Sequence, residues 1–465
     1  MDQTSRLSER IAGHIVGCEA ERLPATTIHA AKRALLDGLG VMLAASGTSP
    51  EIEAFVTYAQ AGGAGRASIL GRGTTATASL AALANGAMAH ALDFEDAFDA
   101  APSHPNASLL PAVLAVLQDG PPVSGRDLLA AIAVGCDLVC RLGLSLRREM
   151  EAGGWYPPPI LGVFGATAAV ARLRGLSQRE TLDALSLALC QASCPGEIKY
   201  SRDTVIRAVR EALPAESAVR ATALAALGVR GFDEPFEGKG GFFRLYADGR
   251  YDPAALLDGL GERFWIEQLS FKRWPACRGT HAYIEAVQAL RAAHGFSPDD
   301  VAEIVATGGE VQVMLVEPPA SKRAPATAID AKFSIPFTVA AALIDGEVTL
   351  DSYDGASLAD PRKLAQAAKV RFERHPDWGR ERAASGGLRI VLRDGTRLEQ
   401  WVDVAAGHVS RPIDDAGLQA KFIDCAGRAQ QPLSGEGAAA LATAIWSLDE
   451  APDAALALSA ICYTT

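Results

Sequence analysis

The chain has 465 residues, 49% hydrophobic and 21% charged, with a formal net charge of −11. That is enough to bury one large core or two smaller ones, and the acidic balance argues against a nucleic-acid partner, which such a surface would repel. The opening stretch, MDQTSRLSERIAGHIVG, is polar and charged early and lacks the apolar run of a signal peptide. Apolar runs elsewhere are broken by Gly, Pro, Asn or charge before reaching membrane-spanning length. The eight cysteines form no CxxC pair and no zinc-like cluster. Cys136/Cys140 and Cys190/Cys194 sit at helical spacing and read as small buried thiols of a reducing compartment. The expectation is a cytoplasmic protein with no membrane partner.

Helical periodicity runs from Leu7 to about Leu227. IHAAKRALLDGLGVMLAAS places Ile28, Ala31, Ala34, Leu35 and Leu39 on one stripe. ATASLAALANGAMA is apolar all round and reads as a buried helix. SGRDLLAAIAVGCDLVCRLG starts with a Ser124 cap. No β-alternation of useful length interrupts this region, which reads as an all-α domain. Near residue 268 the pattern changes. GTHAYIEAVQALRAAHG is a helix ended by Gly295, DDVAEIVATGGEVQVMLV alternates like a strand, and DAKFSIPFTVAAALIDGEV is helical again. KVRFERHPD follows, then GLRIVLRDGTRLEQWVDV with a hairpin turn at Asp394-Gly395. After Pro412 helices return. The expected fold is a large all-α domain, 1–268 and 404–465, plus a smaller α+β domain with antiparallel strands, 269–403, and an active site in the cleft between them.

Three stretches carry chemistry. HALDFEDAFDAAPSHP ends the apolar helix in carboxylates and leads to His104 before Pro105. It reads either as a solvated helix end or as a site with Asp93 near the core and His104 carrying a proton. Glu95, Asp96 and Asp99 read as solvated or capping. FKRWPACRGTHAYIEA gathers Lys272, Arg273, Arg278 and His281 among aromatic and apolar residues. It is either a basic loop or an anion site in which a partly buried Lys272 has a lowered pKa and serves as a base. GGWYPPPILGVFGA reads as an extended turn displaying Trp155 and Tyr156, through packing or as a phenol donor over a pocket. No GxGxxG placed between strand and helix, P-loop, GxSxG or HExxH occurs, so a cofactor-independent reaction without a metal is the simplest expectation.

These stretches, in this order, resemble the MmgE/PrpD family, whose pattern runs HALDFDD, HP, GWH before FGA, K-x-(Y/F)-P-x-C-x-x-T-H and AKFSLPYxVAxALLDG. The chain carries HALDFED, SHP, GWY with GVFGA, FKRWPACRGTH and AKFSIPFTVAAALIDG. The resemblance implies a helical domain, a lid-like α+β domain, homodimers and no cofactor. Asp93, His104, Lys272 and His281 match. Ala97 stands where the dehydratase and decarboxylase pattern has a threonine, Tyr156 replaces the GWH histidine, and K-x-L-H-x-G reads REALPA, so its Lys and His are unmatched.

The family's activities include dehydration of 2-methylcitrate, decarboxylation of cis-aconitate and epimerisation of iminodisuccinate. Losing hydroxyl-handling groups points toward the epimerase branch, which needs proton carriers on two faces of a carbon beside a carboxylate. The resulting expectation is an isomerase on an imino- or amino-linked dicarboxylate. Lys272, His104, Tyr156 and Asp93 would be catalytic; Arg278, His281, Arg273 and the nearby cation Lys199 would bind substrate. The alternatives are a lyase on a citrate- or aconitate-like acid and an inactive polycarboxylate-binding protein.

Overall fold

The computed structural model describes residues 7–101, 103–201 and 204–461. Helices dominate the first 250 residues, and a small sheet lies within residues 301–402. The core of the larger, helical part is a stack of long apolar helices. Gly125–Ser145 packs on Pro157–Leu173, which also contacts Pro105–Asp119, while Ala78–Ala91 is flanked by Pro105–Asp119 and Ala212–Ala226. The abundance of small residues explains how closely these helices approach. A Cβ on Gly135 would lie 2.5 Å from the Gly165 carbonyl oxygen, and one on Gly165 2.6 Å from that of Gly135. At such distances only glycine fits, and the two helices meet backbone to backbone. Gly125–Ser145 is long and apolar enough to cross a membrane, but it is buried inside the protein and its Ser124 hydroxyl caps it by accepting from the Asp127 amide.

The helical part is not free of strands. β1 (Ala67–Ile69) and β2 (Thr74–Ala76) form a short antiparallel hairpin that the periodicity did not reveal, because three-residue strands are too short to alternate. The larger sheet has the order β4-β3-β5-β6, built from β3 (Val301–Gly308), β4 (Val370–Arg374), β5 (Gly386–Leu392) and β6 (Arg397–Val402). β5 pairs antiparallel with β3 and β6, but β4 runs parallel to β3, so the sheet is mixed. The parallel pair requires a long crossover, and residues 310–368 supply it with several helices, among them Ile335–Asp345. The β5–β6 hairpin turns at Gly395, whose φ of 89° suits glycine. Helix His281–His294 covers β5 and β6 and stops at Gly295, with φ 64°. Near the C-terminus, helix Asp415–Gly427 packs on Ala25–Thr48 of the helical part.

Candidate active site

The acidic loop is an interior feature. Helix Ala78–Ala91 is apolar and buried along most of its length, and His90 sits fully buried in its last turn. Asp93 ends the helix with φ 48°, its amide donating to the His90 carbonyl at 2.8 Å. Aspartate is among the few non-glycine residues that tolerate this left-handed conformation. The chain is then pinned by a two-way backbone bridge: Ala97 N to Ser270 O at 2.9 Å and Ser270 N to Ala97 O at 2.8 Å. It leaves the loop at His104, which precedes helix Pro105–Asp119 with proline in the first turn. Glu95 and Asp96, read as solvated from sequence, are 1% and 0% exposed, and Asp93 is 0%. Asp99 is half-buried and accepts from Ser270 Oγ at 2.7 Å and Arg278 Nε at 3.2 Å.

Glu95 organises two histidines. Its Oε1 accepts from His90 Nδ1 and lies 3.0 Å from His104 Nδ1, which is also 2.9 Å from the Asp96 carbonyl oxygen. The two imidazole rings are 5.2 Å apart. With each Nδ1–H directed at acceptors, each Nε2 carries the lone pair. His90 Nε2 is buried without a partner among the described residues. His104 is partly exposed, and its Nε2 makes no hydrogen bond among the described residues. Burial lowers the His90 pKa to about 3, with Arg210 adding to the effect. Burial pushes Glu95 up, but His90, Lys272 and His104 outweigh it and hold the carboxyl well below the usual range. Asp96 is the opposite case. Burial, then the charges of Asp37 and Glu95, raise it to about 8, against a smaller lowering by the Asn106 side chain beside it.

Lys272 is fully buried and donates to both the Asp93 carboxylate and, at 3.0 Å, the Asp93 carbonyl. The expectation of a lowered pKa does not hold: burial opposes the charge, but Asp93 and Glu95 outweigh it and raise the pKa. Lys272 is therefore an ammonium, suited to anchoring an anion or donating a proton. Lys421, far along the chain, supports it from behind, donating to Asp37 at 2.7 Å, to the Phe94 carbonyl at 2.7 Å and to the Lys272 carbonyl at 3.0 Å.

Arg210 was missed by sequence reading, because the REALPA segment was judged only for what it lacked. It is 5% exposed; its Nε donates to Glu211 at 3.0 Å, and Nη1 and Nη2 have no partner among the described residues. Its charge acts on Glu95 and Asp93. A cation at the head of a segment whose pattern begins with lysine was the available signal. His90, in the quoted HALDFED stretch, was also passed over; a histidine in the last turn of an otherwise apolar helix would have marked it.

The other expected site residues divide. Tyr156 is buried, not displayed at a tip, because Pro157–Pro159 form the first turn of helix Pro157–Leu173 and not an extended turn. Its ring lies 5.1 Å from the Arg210 guanidinium and 5.3 Å from Lys199 Nζ. Lys199 contacts Glu151 at 3.4 Å, and burial lowers its pKa. These two join the cluster. Arg278 and His281 are buried but occupied by the backbone. Arg278 donates to the carbonyls of Ala406 at 3.0 Å and Ala405 at 3.2 Å, and His281 Nε2 lies 3.1 Å from that of Ala276. Burial, then Arg278 and Lys272, hold His281 well below its usual pKa, so it is neutral. Arg273 is exposed and stands against Trp274, 5.5 Å from the ring centre.

His90, Asp93, Glu95 and His104 offer ligand atoms within 4.8 Å of one another. A divalent cation there would meet the Lys272 ammonium already on Asp93 and the charge of Arg210. The donor set thus fits a proton network better than a metal.

Two family models match the chain: the MmgE/PrpD N-terminal domain over residues 9–254 and the MmgE/PrpD C-terminal domain over residues 274–442. Among curated proteins, cis-aconitate decarboxylase of Mus musculus is 28% identical over 442 residues, covering 90% of this chain and 86% of the relative. The Homo sapiens protein of the same name is 28% identical over 74% of this chain and 71% of its own length. 2-Methylcitrate dehydratase of Cupriavidus necator is 26% identical over 56% of this chain and 55% of its own length.

Proposed function

The chain belongs to the MmgE/PrpD family, and from that premise we propose that it is a lyase acting on a citrate- or aconitate-like polycarboxylate. The observation that carries this reading is His104: its Nδ1 is held by Glu95 and the Asp96 carbonyl, and its Nε2 has no partner among the described residues. A histidine oriented in this way by a carboxylate is a general base through its other nitrogen.

In the proposed chemistry, the unpartnered Nη1 and Nη2 of Arg210 hold the carboxylate next to the reacting carbon. The guanidinium stabilises negative charge as a bond to that carbon breaks. For dehydration, His104 Nε2 takes the C–H proton, the electron pair forms the double bond, and the hydroxyl on the neighbouring carbon leaves as water with a proton from Lys272. For decarboxylation, the carboxylate leaves as carbon dioxide and a protonated His104 returns a proton to the carbanion. Asp93 orients Lys272, Glu95 stabilises the imidazolium, and Tyr156 is a further donor beside Arg210. The relatives' names, decarboxylase and dehydratase, support a lyase over the epimerase suggested by the sequence departures.

Epimerisation of a dicarboxylate is the second reading. Ala97 and Tyr156 favour it, since they replace a hydroxyl and an imidazole with a methyl and a phenol. One experiment separates the readings: incubation with citrate-like, aconitate-like and imino-linked acids in deuterated water, following alkene absorbance, carbon dioxide and deuterium at carbon. Alkene or carbon dioxide supports the lyase. Deuterium exchange with inversion and neither product supports the epimerase. Binding with no reaction supports the inactive binder.

We also propose a homodimer in the cytoplasm. Tyr200, Val205, Ile206, Leu213, Leu224 and Leu227 expose large apolar side chains along one stretch of chain, which supports a subunit contact. The described cysteines are free thiols, which supports a reducing compartment. Sedimentation velocity at micromolar concentration would test the dimer.

A further inference from the structure

Three helices begin at the site, and a chain of hydrogen bonds links their first turns. His104 precedes Pro105–Asp119, Tyr156 precedes Pro157–Leu173, and Arg210 and Glu211 precede Ala212–Ala226. Ser108 lies on the first of these helices, one turn beyond His104. Its hydroxyl donates to Glu211 Oε2, and Glu211 Oε1 accepts from Arg210 Nε at 3.0 Å. All three residues are buried, Ser108 at 0%, Glu211 at 1% and Arg210 at 5% exposure. The helix that follows Tyr156 packs against this chain through Gly162. A Cβ there would lie 2.5 Å from Ser108 Oγ and 3.6 Å from Glu211 Oε2, so a bare glycine leaves the hydroxyl its place beside the carboxylate. The helix that runs into Asp93 fits as closely: a Cβ on Gly86 would lie 2.7 Å from the Glu211 carbonyl oxygen.

The proposed chemistry uses Arg210 through Nη1 and Nη2, the two nitrogens left without a partner among the described residues. Its third donor position, Nε, belongs to Glu211. A guanidinium is planar, so a bond to Nε fixes the plane in which the other two nitrogens donate. Glu211 in turn is not free to swing, because Ser108 holds its other oxygen. Hydrogen bonds to an ionised carboxylate are among the stronger ones, and here both are buried. Both Glu211 oxygens are engaged, and its negative charge would repel a substrate carboxylate, so it has no part in binding substrate directly. What remains is geometry. Ser108 is carried by the helix that starts at His104, so the chain sets the direction of the carboxylate clamp relative to the general base.

We propose that Ser108 and Glu211 are positioning residues that act through Arg210, holding its guanidinium plane so that Nη1 and Nη2 present one fork to the substrate carboxylate at a fixed place relative to His104 Nε2. The proposal rests on the reading of Arg210 as the carboxylate clamp and adds the groups that aim it.

The test is a double-mutant cycle on the full-length protein, read by calorimetric titration with the unreactive carboxylate probe tricarballylate. Ser108→Ala should weaken the probe by about 3- to 10-fold, the range of one hydrogen bond. In an Arg210→Lys background the same substitution should weaken it by less than ~2-fold, because an ammonium has no plane to aim. Glu211→Asp keeps the charge but retracts the carboxylate by one methylene, so it cannot hold Arg210 and Ser108 at once. It should show the same dependence on Arg210, and it decides the matter if Ser108→Ala does not fold. With a substrate that is turned over, both variants should lower kcat by at least ~10-fold and change KM less, since a misaimed carboxylate still binds. A merely structural role would give equal losses of affinity in the two backgrounds. That result, no loss in either variant, or no tricarballylate binding by the unmodified protein would overturn the positioning role. Turnover separates this from the catalytic reading. If the cycle shows the coupling but no polycarboxylate is transformed, the lyase falls and the positioning role stands. If polycarboxylates are transformed but the losses are equal in both backgrounds, the positioning role falls and the lyase stands.

Discussion

Two buried charge clusters lie in the helical part and behave differently. At Asp137 and Arg141 every partner is supplied. Arg141 Nε donates to Asp137 at 2.5 Å, its Nη atoms reach the carbonyls of Leu256, Asp258, Gly259 and Arg263 at 2.8–3.2 Å, and the Trp265 amide donates to Asp137 at 2.8 Å. Around His90 and Asp93 the accounts stay open. Among the described residues, His90 Nε2, Asp93 Oδ2, Glu95 Oε2 and two nitrogens of Arg210 are buried without partners. Both clusters contain buried ion pairs, so a buried pair alone does not mark a site. Several leftover charged donors and acceptors gathered in one place do, because a fold that merely needed the charges would satisfy them.

The comparison can be broken most forcefully at Arg141. Arg141→Met should destabilise the protein by about 3–5 kcal/mol, the cost of leaving Asp137 buried and alone, while activity per folded molecule stays unchanged. Urea unfolding with an active-fraction correction checks both halves. His104→Gln should do the reverse. Turnover should fall at least ~10²-fold, as for loss of a general base, with stability held within about 1 kcal/mol. Equal melting curves with unaltered turnover would make His104 structural.

Arg210→Lys keeps the charge but loses the planar fork, and should lower kcat/KM by roughly 10-fold or more. An unchanged value would remove Arg210 from substrate binding. The effect at Asp96 is one of stability alone and appears only as pH rises. Its folded pKa, about 8, lies above the ordinary aspartate value of 3.8. Its contribution to stability is therefore complete below about pH 4 and is lost as pH rises through about 8. Asp96→Asn is neutral throughout, so the variant should match the parent near pH 4. It should be the more stable by at least ~1 kcal/mol above pH 8. Parallel stability–pH curves would show that Asp96 ionises freely.

Much of the site was legible because its signals are local. An apolar helix running into Asp93, a histidine before a proline, and a lysine among Phe271, Trp274 and Pro275 are all readable within a few residues. What failed was the solvation of Glu95 and Asp96 and the pKa of Lys272. The first depends on elements distant in the chain that pack over the loop, and the second on Asp93 and Glu95, which lie nearly two hundred residues earlier in the chain. Arg273, with the same local credentials as its neighbours, faces outward, a difference that local pattern does not encode.

By itself, then, the sequence determined the helical character of the first part, the β5–β6 hairpin, the family and the chemical types gathered at the site. These follow from periodicity, turn chemistry and short motifs, which act between near neighbours. Only the tertiary structure decided which charges are paired and which are left over. Lys421 comes from the C-terminal helix Asp415–Gly427 to hold Asp37 and the Lys272 carbonyl, and Arg207 meets Phe333 across more than a hundred residues. Whether a buried donor finds an acceptor depends on every element packed around it, and that is settled only when the distant parts of the chain have come together.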